Sequence, residues 1–151
     1  MKLKVTMTDK DNLVIKLNKW PMEFYDSILQ ELLVIGNDIR NYIIQSMKNS
    51  PADFSKPTMG KRKTGEPHYP SFRGNPPRID TGRLVGSINV EKLKNGVGVG
   101  SISKGKYIVN YAKDLESMEE LDRPFIKPAY EKFAPTIENR LVNAITERAR
   151  R

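Results

Sequence analysis

The chain contains no cysteine and a single histidine, His68. The first absence excludes disulfide scaffolds and thiolate zinc sites outright. The second excludes histidine-rich metal sites, and a lone loop histidine lacks the positioned partner that general acid–base catalysis needs. No acid stands two residues before any lysine, so the acid-x-lysine pair common at metal-dependent nuclease sites is missing. Gly60-Lys61 lacks the upstream glycine and the following Ser/Thr of a phosphate-binding loop. Gly96, Gly98 and Gly100 do not fit the dinucleotide fingerprint. No stretch approaches the ~18 apolar residues of a membrane span. The opening Met1-Lys2-Leu3-Lys4-Val5-Thr6 lacks the apolar region of a signal peptide. These absences predict a soluble intracellular product with no membrane partner, catalytic residues, metal or cofactor.

Apolar residues are also scarce. At 38% hydrophobic and 29% charged, a chain of 151 residues suffices for one domain with one core. It is also polar enough to suggest extended segments or surface buried against partner subunits. The net charge of +8 fits a polyanionic neighbour as well as an ordinary soluble basic protein.

The charge is uneven. Residues 50–80 carry six prolines, at 51, 57, 67, 70, 76 and 77, together with Gly60, Gly65 and Gly74 and almost no aliphatic side chains. A loop of about 30 residues exceeds what a compact domain ordinarily uses, which predicts a functional or disordered segment. Across residues 56–83 the bases Lys56, Lys61, Arg62, Lys63, Arg73, Arg78 and Arg83 face only Glu66 and Asp80. His68, Tyr69 and Phe72 are interleaved with them, and the pattern predicts a flexible arm that orders on a partner or on DNA. Residues 114–122 hold five acids and no base: Asp114, Glu116, Glu119, Glu120 and Asp122. They lack the ligand alternation and turn glycine of a calcium loop. A solvated face, or a subunit contact that meets a neighbour's basic arm through Glu116, Glu119, Glu120 and Asp122, fits them better than a Mg²⁺ or Ca²⁺ site.

Periodicity supplies the elements. Leu3, Val5 and Met7, then Leu13, Ile15 and Leu17, alternate with polar residues around a turn-rich break, predicting a hairpin over 2–18. Pro21 suits a first helical position. Phe24, Ile28, Leu32, Ile35, Ile39, Tyr42, Ile43 and Met47 then share one helical face, predicting a long helix over 21–48. At 1.5 Å per residue that helix would reach about 40 Å, so part of it is expected to pack on another subunit, although a plain core helix accounts for most of its residues. Asn95-Gly96 is the strongest hairpin signal, flanked by 87–94 and 97–102. Tyr107, Val109 and Tyr111 alternate, predicting a third strand that completes a sheet region over 87–111. Tyr130, Phe133, Ile137, Leu141, Ala144 and Ile145 predict a C-terminal helix over 124–148, with Pro135 kinking it or marking its true start. The fold class is therefore α+β: an antiparallel sheet built from hairpins, packed against one long N-terminal helix and a C-terminal helix, with a long basic loop.

Pro76-Pro77-Arg78-Ile79-Asp80-Thr81-Gly82-Arg83-Leu84-Val85-Gly86-Ser87-Ile88 joins loop to sheet. Its prolines hold the chain extended, Asp80 or Thr81 is placed to cap a short helical turn, and Gly82 and Gly86 leave room for close backbone approach. It reads as an architectural corner. It also resembles a signature of tailed-phage tail-completion proteins, which include minor tail and head–tail joining components: a proline shortly before Thr-Gly-x-Leu-x-x-Ser-Ile. Tyr111-Ala112-Lys113-Asp114-Leu115-Glu116 is similar to that family's Tyr-Ala-x-x-x-Glu segment. Arg123-Pro124-Phe125-Ile126-Lys127-Pro128-Ala129 is similar to its Arg-Pro-Phe-x-x-Pro-Ala lead into the last helix. Where the family carries Gly-Thr shortly after the glutamate, this chain has Ser117-Met118.

The resemblance covers roughly residues 20 to 148 and carries over Pro77, Thr81, Gly82, Leu84, Ser87, Tyr111, Glu116, Arg123, Pro124, Phe125 and Pro128 as structural positions. It implies a non-enzymatic virion protein, assembled in the host cytoplasm as a homo-oligomeric ring, expected to be a hexamer. Such a ring would sit between head connector and tail tube with genomic DNA passing through. Two other classes stand beside it: a nucleic-acid-binding protein using the 56–83 arm, and, more weakly, a metal-dependent phosphodiesterase built on the acidic run.

Overall fold

A computed structural model describes residues 2–8, 12–18, 24–56, 58–61, 67–101, 106–118 and 122–150. In chain order these form β1 (Lys2–Thr8), β2 (Asn12–Asn18), α1 (Tyr25–Lys48), β3 (Thr58–Lys61), β4 (Pro67–His68), α2 (Arg83–Ser87), β5 (Ile88–Leu93), β6 (Gly96–Ser101), α3 (Lys106–Ser117) and α4 (Ile126–Ala149). The α+β class and its layout hold: two hairpins make one four-stranded sheet, α1 and α4 pack with it, and the basic loop lies between α1 and α2.

The sheet has the order β1-β2-β6-β5, antiparallel throughout. β6 is interior and pairs on both sides. Leu13 faces Val99 and Ile15 faces Val97 across β2–β6, while Val90 faces Val99 across β5–β6. Alternation therefore puts Leu13, Ile15, Val90, Val97 and Val99 on one face. The β5–β6 turn consists of Lys94 and Asn95, because Leu93 already pairs with Gly96; the turn lies one residue earlier than the Asn-Gly pair suggests.

α1 covers that face. Its buried residues Ile28, Leu32, Ile35, Ile39, Ile43 and Met47 follow the three-and-four spacing from end to end. Each such side chain contributes about 1.5–3 kcal/mol when removed from water. Gly36 marks the closest approach to the sheet: a Cβ there would lie 2.9 Å from Val90 Cγ1 and 3.0 Å from Val97 Cγ1. Burial within the chain runs along one face of this helix from Ile28 to Met47. α1 has 24 residues, about 36 Å, and the sheet and α4 account for its length.

α4 runs antiparallel to α1. Tyr42 meets Phe133 edge-on at 5.7 Å between ring centroids. Closer to the start of α1, Arg140 holds both Glu31 at 3.0 Å and Asp38 at 2.7 Å. The helix continues through Pro135 from Ile126, so Pro135 does not mark its start. Pro135 and Glu131, whose carbonyl that missing N–H would have reached, are both exposed, which lets water take the bond.

The third strand is a correction: residues 106–111 open the helix α3. The alternation of Tyr107, Val109 and Tyr111 coexists with a helical spacing of Ile108, Ala112 and Leu115, and burial of Ala112 and Leu115 in the core favours the helix. Tertiary packing overrides a local β preference here.

Candidate functional site

The three segments that carry the resemblance meet at one joint, where the basic loop, the turn between α3 and α4, and the α2 corner are tied together. The loop doubles back on itself. The Ser50 hydroxyl donates to the Pro76 carbonyl, Asp53 N–H donates to the Pro70 carbonyl at 2.8 Å, and Ala52 bridges to Ser71. β3 and β4 extend the pairing through Thr58 and His68. Where the sequence suggested a flexible arm, residues 50–53 are tied to residues 70–76 and β3 is paired with β4. Arg62 and Lys63 lie outside the described residues.

Arg123 makes the long-range tie. Its Nε donates to the Ser71 carbonyl at 3.2 Å and hydroxyl at 3.1 Å, and Nη2 donates to the same carbonyl at 3.1 Å. Ser71 is only 1% exposed, so a planar fork satisfies acceptors that water does not reach freely. Next to it, Gly74 N–H donates to the Asp122 carbonyl at 2.6 Å, with Gly74 at φ 77° and Asp122 at φ 38°. Aspartate is among the few non-glycine residues that tolerate this region.

Glu116 ties the second and third segments to each other. The N-cap position of α4 is Phe125, which has no polar side chain. The Glu116 carboxylate supplies the cap from α3: Phe125 N–H and Ile126 N–H donate to Oε2 at 2.7 and 3.1 Å, and Lys127 N–H donates to Oε1 at 2.8 Å. Three orphan donors and the positive end of the dipole are answered by one charge. Glu116, offered by the sequence as a subunit contact, is thereby used within its own chain. Phe125 is fully buried, Pro124 is half-buried, and Pro128 sits half-buried in the first turn, where its missing N–H costs nothing. Tyr111 lies in α3.

The corner needs two corrections. Gly82 occupies the N-cap position of α2, the Thr81 hydroxyl accepts from Arg83 N–H at a long 3.5 Å, and Asp80 faces His68 at 3.4 Å instead of capping. Nor do Gly82 and Gly86 mark close approach, since a Cβ at either would meet nothing within 4 Å. Gly82 is required by its φ of 76° alone. At the far end, Ser87 Oγ donates to the Leu84 carbonyl at 2.7 Å and lies 2.9 Å from Ser101 Oγ, a buried contact that fastens α2 to β6. Pro77 is buried, and Leu84 is half-buried against the core.

The cations are spread over this joint. Lys56, Arg73 and Arg83 are exposed, Arg78 is half-buried with Nη1 donating to the Tyr69 carbonyl at 3.3 Å, and Lys61 lies in β3. Asp122 is exposed, while Glu119 and Glu120 lie outside the described residues. Among the described residues no group of three or more His, Asp or Glu side chains is placed to hold a metal ion.

One polar residue of the joint escaped the sequence reading. Asp53 is nearly buried, and its carboxylate accepts from the Ser55 hydroxyl and from Ser55 N–H at 3.1 Å. The Ser55 hydroxyl holds its pKa below the ordinary value; burial opposes this, and Ser55 N–H, Lys56 and Arg123 reinforce it. Asp-x-Ser is a local turn signal that could have found it.

Compared with protein-family models, with curated proteins and with solved structures, the chain matches none.

Proposed function

We propose that this protein is a structural subunit of a tailed-phage virion, one that completes the tail and joins it to the head connector. Copies would form a ring around the DNA path, with head-connector and tail-tube proteins as partners. The observation that carries the reading is the joint itself. The three resembling segments, dispersed over residues 76–129, are used for capping, bracing and turning the chain, as Glu116, Arg123, Ser87 and Gly82 illustrate. Shared architecture is what such a resemblance would preserve. The proposal assigns no catalytic role. A heterologous contact between the exposed cations of one copy and the acidic 114–122 region of the next would close a ring of this kind.

The test is microscopy of particles assembled without this protein, together with its mass in solution. Free heads beside free tails, rejoined on adding the purified protein, are the expected result. Complete particles formed in its absence would refute the reading.

A further inference from the structure

Phe54 is 73% exposed, the most exposed of the large hydrophobic side chains in the described residues. It is also held firmly. The Asp53–Lys56 turn is closed by Lys56 N–H donating to the Asp53 carbonyl at 3.3 Å, and by Ser55 on the Asp53 carboxylate. Asp53 N–H binds Pro70 and so keeps the turn against the returning limb of the loop. There the Tyr69 ring meets Phe54 with centroids 5.1 Å apart and planes tilted by 58°. The contact leaves most of the phenyl surface in water while fixing where the ring stands.

Its surroundings are cationic. Lys56 is exposed on the same turn, and Arg78 donates to the Tyr69 carbonyl. Among the described residues the local acids are already engaged: Asp53 by Ser55, and Asp80 by His68. An exposed phenyl ring braced by a half-buried tyrosine among cations suits a ligand with flat apolar faces on an anionic backbone, which is the description of single-stranded nucleic acid.

We propose that Phe54, backed by Tyr69, is a stacking surface for an unpaired base, with Lys56 and Arg78 meeting the adjacent phosphates. This does not rest on the head–tail joining reading, and the rescue of free heads by purified protein decides that reading separately.

The experiment is fluorescence anisotropy of the full chain with a labelled oligothymidylate and with a duplex of equal length, at low and moderate salt. Phe54→Ala should weaken oligothymidylate binding roughly ten-fold, within the range of one lost base stack, and Phe54→Trp should restore it. Duplex binding, which rests on phosphate contacts, should change less than about two-fold and fall steeply with salt in every variant. Because Phe54 is exposed, melting curves of both variants should overlay the parent, which separates lost stacking from lost folding. Unchanged oligothymidylate binding in Phe54→Ala, or none by the parent at low salt, overturns the proposal. Weakened self-association in Phe54→Ala with nucleic-acid binding intact also overturns it and assigns the ring to a protein contact.

Discussion

The body of this protein and its joint are held by different forces. In the body, α1, α4 and the sheet bury a continuous set of aliphatic side chains, from Leu13 and Ile15 through Ile28–Met47 to Ile137 and Leu141. In the joint, few large apolar residues are available, and the loop is kept in place by Arg123 on Ser71, Glu116 on the first amides of α4, and backbone bonds such as Gly74 to Asp122. The body gains from many weak and interchangeable contacts, so loss of one is graded. The joint depends on a few directional bonds between residues far apart in sequence, so loss of one should free a whole limb while leaving the core folded.

The largest expected effect lies in the body. Gly36→Leu must force a branched side chain into a space where even a Cβ lies within 3.0 Å of two valine methyl groups; a loss of about 3 kcal/mol or more is expected in urea unfolding. Gly36→Ala should cost much less, because alanine regains about 1 kcal/mol of helix propensity. Retention of parental stability by the leucine variant would show that α1 does not press on the sheet at this point.

Gly82→Val comes next. A β-branched residue at φ 76° should cost about 2 kcal/mol, seen as a lower melting temperature, and Gly82→Asn should recover much of it because asparagine tolerates that region. Equal melting of the valine variant and the parent would remove the case for a left-handed corner.

Glu116→Ala should cost about 1–2 kcal/mol through the lost helix cap, with faster hydrogen exchange at Phe125, Ile126 and Lys127 and little change in the sheet. Glu116→Gln, which keeps acceptors but loses the charge, should fall between. Exchange accelerated equally throughout the molecule would contradict the division into body and joint.

Arg123→Lys keeps the charge but cannot reproduce the planar fork on Ser71. A loss of about 1 kcal/mol is expected, with exchange accelerated at Asp53 and Gly74 before any change in α1. Lysine matching arginine in both measurements would reduce Arg123 to a simple charge.

The smallest effect is a pH dependence. The folded-state pKa of Asp53 is lowered, chiefly by the Ser55 hydroxyl, so its contribution is fully present above the unfolded value near 3.8 and disappears as pH falls through the folded value below it. Asp53→Asn should flatten the acid limb of the stability profile below about pH 4 while leaving the profile near neutrality parallel to the parent. An unaltered acid limb would show that the carboxylate does not act in this turn.

The body was largely legible before its structure. Burial follows the helical period on α1 and the alternation over the first residues of β5, since one-sided burial imposes a period on whatever sequence fills it, whereas interior β6 is buried along its whole length. The joint was legible only as composition. The fork of Arg123 and the cap from Glu116 leave no periodic trace, because a hydrogen bond between residues 52 positions apart constrains two side chains and nothing between them. Residues 106–111 show the intermediate case, with alternation and helical spacing superimposed and the choice left to whichever side chains found a core.

The amino-acid sequence alone determined that this is an α+β chain with a long apolar helix, hairpins and a basic proline-rich loop, because periodicity and proline act on neighbouring residues. It also determined that thiolate and histidine-cluster chemistry is excluded. Only the tertiary structure decided that the two hairpins join through β2 and β6, that the loop is folded back on the body, that α3 is a helix, and that Glu116 caps α4. Each of those outcomes is a meeting of distant segments, whose free energy exists only once the chain has brought them together.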